Sequence, residues 1–269
     1  MSEVKLSAAA VPDEQVRVCL VAITKHGAAQ ARQLAERWPE QLPLPHICTS
    51  HKFGSVFDGL ASTVHVYHGA LKDEIGPLFA SYDQLVCLIS LGAVVRLIAP
   101  HLKGKDEDPG IIVVDDAGQY VIPVLSGHVG GANAWSERVA DLLGATPVLT
   151  TASDVGRTIP VDILGRHLGW RVEAPKINIT RVSADVVNGE PVALVQEAGS
   201  RHWWTRSTPP PANVELLDRF DQVQPERHRS VLWVTHAELD DAFWQQWTER
   251  LVVYRPPAGQ QPDDRSHHA

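Results

Sequence analysis

Through the amino-terminal half of the chain, short apolar runs alternate with stretches that keep one apolar face at helical spacing. Residues 16–23 read VRVCLVAI, a continuous run rich in β-branched side chains, and predict a strand covered on both faces. A turn at Thr24, Lys25, His26 and Gly27 leads into residues 28–38, where Ala31, Leu34, Ala35 and Trp38 keep a helical period. Ile47 and Cys48 predict a short strand, residues 64–67 another, and residues 71–82 a helix that Gly76 and Pro77 kink or interrupt. Residues 84–90 return to an apolar strand, and residues 93–102 place Val94, Val95, Leu97 and Ile98 on a largely apolar helix with Arg96 turned elsewhere. Residues 111–114 and 120–125 flank Asp115-Asp116-Ala117-Gly118, the pattern of two paired strands joined by a tight turn. A helix with Trp135, Val139, Leu142 and Leu143 in phase follows, then a short strand over residues 147–150. Strands alternating with helices predict an α/β fold, here an open, mostly parallel sheet with helices on both faces.

From Val155 the texture changes. Residues 161–168 and 177–187 predict helices, residues 191–197 and 230–235 strands, residues 239–248 a helix and residues 251–254 a last strand. This half reads as a second, smaller α/β domain. The boundaries are a flexible N-terminus over 1–15, a first domain over 16–154, a central domain over 155–255, and a proline-rich polar tail over 256–269 expected to be disordered. The tryptophans at 203, 204, 233, 244 and 247 read as packing residues rather than a ring-stacking platform.

Composition narrows the chemistry. A net charge of −8 argues against a nucleic-acid binder, which would show a basic face. No apolar run reaches the ~20 residues that cross a bilayer, and no long apolar segment opens the chain as a secretory signal would. Cys19, Cys48 and Cys87 are odd in number, form no CxxC pair and sit largely in apolar runs, as buried free thiols of a cytoplasmic protein do. No His, Cys and carboxylate set shows metal-ligand spacing, so no protein-bound metal is expected.

The polar features concentrate after strands. Ser126-Gly127-His128-Val129-Gly130-Gly131-Ala132-Asn133 lies between a strand and a helix, where backbone N–H groups and the positive end of the helix dipole suit an anion. Arg96, Lys103 and Lys105 add positive charge upstream. Ligands of open α/β sheets sit outside the carboxyl ends of strands. Ser90-Leu91-Gly92, residues 126–133 and residues 150–154 are all expected at such ends, gathered on one edge. Ser126 lacks the first glycine of a GxSxG elbow, which argues against a serine nucleophile. The glycines also suit a plain tight turn, and residues 103–108 a solvated one.

The same stretch resembles the cobalt-precorrin-5A hydrolase family of anaerobic, early-cobalt cobalamin biosynthesis. The match runs through Gly92-Ala93-Val94-Val95-Arg96, Ala99-Pro100, Lys103-Gly104-Lys105, Asp108-Pro109 and Val113-Val114-Asp115. It continues through Ile122, Leu125 to Asn133, and Pro147-Val148-Leu149-Thr150-Thr151-Ala152-Ser153-Asp154, and persists to about Gly199. Longer family members carry a further C-terminal domain, which this resemblance does not reach.

The resemblance implies a cobalt-bearing macrocycle with carboxylate arms and a δ-lactone, which water opens with release of acetaldehyde to give cobalt-precorrin-5B. No cofactor is implied, since cobalt arrives with the substrate. On this basis His128 is the candidate base and Asp154 orients it or holds water. Gly130 and Gly131 N–H groups receive an oxyanion or carboxylate. Gly92, Arg96, Lys103, Lys105, Ser126, Gly127, Asn133, Thr150 and Thr151 complete the expected contacts with the substrate. His128 reads equally as a helix cap or a carboxylate contact. The alternative to an enzyme is a corrinoid-binding subunit that needs a separate protein carrying the C-terminal domain; a generic phosphate or sugar-phosphate binder is a third reading.

Overall fold

The computed structural model describes residues 3–7, 11–104, 107–151, 158–204, 208–260 and 262. The chain divides into two compact units, one formed by Val11–Leu149 and the other by Met1–Ala10 with Thr150–Ala269.

The Val11–Leu149 unit holds a seven-stranded sheet. Its strands are β2 (Val18–Ala22), β3 (His46–Ser50), β4 (Val64–Tyr67), β5 (Gln84–Leu88), β6 (Gly110–Val114), β7 (Tyr120–Leu125) and β8 (Thr146–Pro147), in the order β4-β3-β2-β5-β6-β7-β8. The five strands β4 to β6 are parallel, β7 runs antiparallel to β6, and β8 runs with β7. Because side chains alternate along a strand, the apolar runs serve both faces. Val18, Leu20, Val86, Leu88, Ile112 and Val114 pack under helices α1 (Lys25–Glu36) and α4 (Ala132–Leu143). Cys19, Val21, Cys48, Leu85, Cys87 and Ile111 pack under α2 (Leu71–Ser81) and α3 (Leu91–Ile98). Pro77 does not break α2: the carbonyl it deprives of a partner belongs to Asp73, which is exposed to water.

The other unit holds a six-stranded sheet, β1 (Val4–Leu6), β9 (Arg171–Pro175), β10 (Val192–Gln196), β11 (Val214–Leu217), β12 (Ser230–Val234) and β13 (Leu251–Arg255), in the order β1-β9-β13-β12-β10-β11. Helices α5 (Lys176–Val187) and α6 (Asp241–Gln246) accompany it. Asn178, fully buried in α5, donates to Leu251 O at 2.9 Å and accepts from Glu249 N at 2.9 Å, which locks the helix to the start of β13. Trp203, Trp233, Trp244 and Trp247 are buried in this core, as packing residues should be.

Three expectations need correction here. The N-terminus is not free: β1 pairs antiparallel with β9, and Ser7 exchanges hydrogen bonds with Val172. Residues 161–168 form turns and a short 3-10 segment rather than a helix, because Gly165 takes φ +68 and Trp170 packs where its Cβ would stand. The tail is tied as far as Gln260, whose Oε1 accepts from Trp170 Nε1 at 3.0 Å and whose carbonyl accepts from Gly199 N.

Candidate functional site

The glycine turn is built by the β6–β7 hairpin. Asp115 accepts from the N–H groups of Ala117, Gln119 and Tyr120, and Gly118 takes φ +67, so the chain reverses within the expected turn. That reversal sends β7 back along β6, with Leu125 opposite Ile111. Residues 126–131 therefore stand over Gln84 and Gly110, at the amino ends of β5 and β6.

The expectation of a single gathered edge is thereby overturned. Ser90, Leu91 and Gly92 follow the carboxyl end of β5, which at ~3.3 Å per residue lies about 16 Å from its amino end. Gly92 thus does not share a place with the glycine turn. Thr150 and Thr151 begin the other unit, while Lys105 and Asp154 lie outside the described residues. What the structure does bring to the amino edge is the segment before β6. There the Asp108 carboxylate accepts from Lys103 N at 3.0 Å and Gly104 N at 3.2 Å, leaving the Lys103 side chain exposed. Arg96, in the second half of α3, is exposed and makes no ion pair among the described residues.

Within the turn, most donors are committed. Gly131 N–H donates to His128 O at 3.0 Å, Ala132 N–H to Ser126 O at 3.2 Å and Asn133 N–H to Gly127 O at 3.0 Å. The proposed oxyanion role of Gly131 N–H is therefore corrected: the turn itself uses that group. Gly127 and Gly130 N–H make no bond among the described residues and are the donors left. Both glycines are closely packed. A Cβ at Gly130 would overlap Ser126 Cβ and stand 2.8 Å from its carbonyl oxygen, and one at Gly127 would stand 2.5 Å from Asn133 Oδ1. Ser126 takes φ +53, a left-handed conformation uncommon outside glycine, and Gly131 takes φ +82 as the cap of α4. His128 sits half-buried at the tip.

One residue that sequence reasoning missed supports this turn. Gln84, 2% exposed at the start of β5, donates from Nε2 to Gly130 O at 2.5 Å. Its signal was a polar side chain opening an otherwise apolar run, QLVCLI, but nothing local said that the turn would lie above it.

The opposite edge carries a separate polar cluster. His26 Nδ1 lies 2.9 Å from Asp116 Oδ2, Thr24 Oγ1 donates to Oδ1 at 3.2 Å, and Gln30 Nε2 donates to Asp116 O. The bond from His26 holds the Asp116 carboxyl below the usual range. In the other unit, a cavity of about 400 Å³ is lined by Arg227, Arg229, Arg250, Glu190 and Glu226. Arg250 there donates to the carbonyls of Pro225, His228 and Arg229, so it serves the loops rather than an open site. Among the described residues no group of three or more His, Cys, Asp or Glu side chains comes together for a metal ion, and no helix is long and apolar enough to cross a membrane.

Residues 73–154 match the family model described as cobalamin synthesis G N-terminal, and residues 159–256 the one described as cobalamin biosynthesis central region. The chain is 43% identical over 240 residues to a cobalt-precorrin-5A hydrolase of Priestia megaterium, covering 88% of this chain and 62% of that protein. It is 33% identical over 188 residues to the cobalt-precorrin-5A hydrolase of Salmonella typhimurium, covering 70% of this chain and 48% of the relative. A crystal structure of a cobalamin biosynthesis protein G homologue from Sulfolobus solfataricus superposes with a TM-score of 0.45 at 19% identity, covering 91% of this chain and 62% of that one. The chain thus spans about half to three-fifths of the length of these two curated relatives. By the two family models and these curated relatives, the chain belongs to the cobalt-precorrin-5A hydrolase family of cobalamin biosynthesis, matching its N-terminal and central regions.

Proposed function

We propose that the chain acts in cobalamin biosynthesis by hydrolysing cobalt-precorrin-5A, opening its δ-lactone and releasing acetaldehyde to give cobalt-precorrin-5B. The observation that carries this reading is the 43% identity over 240 residues with a relative of that name. The reaction needs water delivered to the lactone carbonyl, donors for the oxyanion, and a grip on the carboxylate arms. Attack by water breaks the acyl–oxygen bond, freeing a carboxylate and an alkoxide on the two-carbon unit. Collapse of that alkoxide to the aldehyde breaks the carbon–carbon bond to the macrocycle, which keeps the electron pair and takes up a proton.

His128 is the base in this reading, and Gly127 and Gly130 N–H groups face the oxyanion. Arg96, Lys103 and Lys105 hold carboxylate arms. Cobalt enters as part of the substrate. The three cysteines, none of them in a disulfide, support a cytoplasmic setting.

Purified chain incubated with cobalt-precorrin-5A, with acetaldehyde trapped as a hydrazone, tests the activity. His128→Ala is expected to lower turnover by at least ~100-fold with binding retained; near-normal turnover removes His128 from the role. A second reading rests on the 62% of the Priestia megaterium relative that the chain spans. In it the chain binds the corrinoid without turning it over until a polypeptide bearing the rest of that relative is added. Tight binding without acetaldehyde, restored by that addition, selects it.

A further inference from the structure

Exposed apolar side chains gather on one flank of α3 and on the segment that follows it. Leu91, Val95 and Leu102 are 41%, 47% and 48% exposed. Three of the ten large apolar side chains that the described residues leave open to solvent thus fall between positions 91 and 102. Val94 and Ile98 take the buried face of the helix. β–α–β crossovers are right-handed, so a helix that buries Val94 and Ile98 between β5 and β6 turns Leu91 and Val95 toward β6 and the strand beyond it. That strand, β7, offers a matching floor. Ile122 stands opposite Val113, which packs under α2 and α3, so Ile122 and its alternate neighbour Tyr120 point to the same side of the sheet as α3. Ile122 is half-buried and Tyr120 is 48% exposed, so the strip beside the helix is open.

The two rows keep step. Leu91 and Tyr120 mark the carboxyl edge of the parallel strands, and Val95 and Ile122 their middle. Leu102 and Leu125 mark the amino edge, where the chain runs on into the glycine turn. Charge says what covers this shelf. Arg96 and Lys103 adjoin it, are exposed and make no ion pair among the described residues. This stands out in a chain of net charge −8, where Arg17, Arg32, Arg138 and Arg255 each pair with a carboxylate. A second copy docked about a two-fold axis would bring these cations against their own copies. A ligand with a broad apolar face and anionic arms satisfies both halves, since its face covers the shelf and its arms reach the cations. The carboxylated corrinoid of the hydrolytic reading has that chemistry.

We propose that the shelf between α3 and β7 seats the corrinoid macrocycle, with Leu91, Val95, Leu102 and Tyr120 against its ring and Arg96 and Lys103 on its carboxylate arms. This rests on the hydrolytic reading above and deepens it by naming where the ring lies. Seated so, the ring reaches the glycine turn at the amino-edge end of the shelf, which brings the lactone toward His128.

Val95→Ser combined with Leu102→Ser tests this. Both side chains are exposed, so the melting temperature should stay within about 2 °C of wild type. Binding of cobalt-precorrin-5A, followed by its visible absorbance, should weaken at least ~10-fold, and KM should rise with it while kcat changes less than about twofold. Hydrogen exchange on the full chain gives a readout independent of turnover. Added corrinoid should slow exchange across residues 91–103 and 120–125. Unchanged affinity in the double variant, or protection confined to other segments, overturns the proposal. So does slowed exchange over residues 91–103 produced without corrinoid, whether by a second copy at high protein concentration or by a polypeptide bearing the rest of the Priestia megaterium relative, because another occupant then holds the shelf. Wild type that is protected on these segments by corrinoid, yet releases no acetaldehyde even with that polypeptide, keeps the seat and removes the hydrolysis. Wild type that releases acetaldehyde with exchange over the shelf unaltered keeps the hydrolysis and removes the seat.

Discussion

Asp83, next to Gln84, is held by Arg17 through three bonds: from Arg17 N at 2.8 Å, Nε at 3.0 Å and Nη2 at 3.0 Å. Partial burial alone would raise its pKa, but the hydrogen bonds and charge of Arg17 outweigh it and leave the carboxyl below its ordinary value. A carboxyl depressed on folding binds fewer protons folded than unfolded. Its stabilisation is therefore present above the unfolded pKa of ~3.9 and lost as pH falls through the lower folded value. Arg17→Gln should flatten the acid limb of a melting-temperature profile between roughly pH 2.5 and 5, with a loss near neutrality of about 1 kcal/mol or less, because the arginine is largely exposed. An unchanged acid limb would show that the pair contributes nothing. Burial pushes the thiols of Cys48 and Cys87 up to about 12 and raises Cys19 as well, so none is a nucleophile at neutral pH. The inert cysteines and the tight Gly127–Gly131 turn were legible from residue type alone. Gln84 was not, because its partner Gly130 lies 46 positions away and the contact exists only once β5 and β7 are both placed beside β6.

At the level of elements, most strands with continuous apolar runs form where the pattern puts them, although the run predicted over 147–150 yields only the two-residue Thr146–Pro147. Tyr120–Leu125 is reproduced residue for residue, and residues 84–90 and 251–254 shift only at their ends. Strands that pattern reading missed include Arg171–Pro175, Val214–Leu217 and Val4–Leu6; the last is three residues long with two of them exposed, and it exists only because β9 offers it an edge. Deleting residues 1–7 removes that pairing together with the Ser7 bonds to Val172 and Arg171. We expect a loss of about 2 kcal/mol or more in urea unfolding and faster aggregation, since β9 becomes a bare edge. A midpoint equal to wild type would show that β1 does not belong to the sheet. The hairpin teaches the other lesson. Its turn was readable from Asp115 to Gly118, yet its consequence, that the glycine turn leaves at the amino edge while Ser90 leaves at the carboxyl edge, follows only from combining it with the parallel β5–β6 pairing.

For the molecule as a whole, the Val11–Leu149 unit has helices on both faces of its sheet and two apolar clusters of its own. Expressed alone, residues 11–149 should unfold in a single cooperative transition with native-like far-UV circular dichroism. A broad, non-cooperative melt would mean that its core depends on the rest of the chain. The α/β class, the change of texture between the halves and the family resemblance were all present in the sequence, because each depends on local periodicity or on short runs of particular residues. The unit boundary, after Leu149 rather than after residue 154, was not. Which strands pair, in which direction, and hence which loops share an edge depend on contacts between distant residues, and no local pattern encodes them. The sequence by itself therefore determined the elements and the chemistry each loop could offer. Only the tertiary structure decided that the glycine turn meets Gln84 and the segment before β6 instead of Gly92, because the direction of β7 is set by its partner strand and not by its own residues.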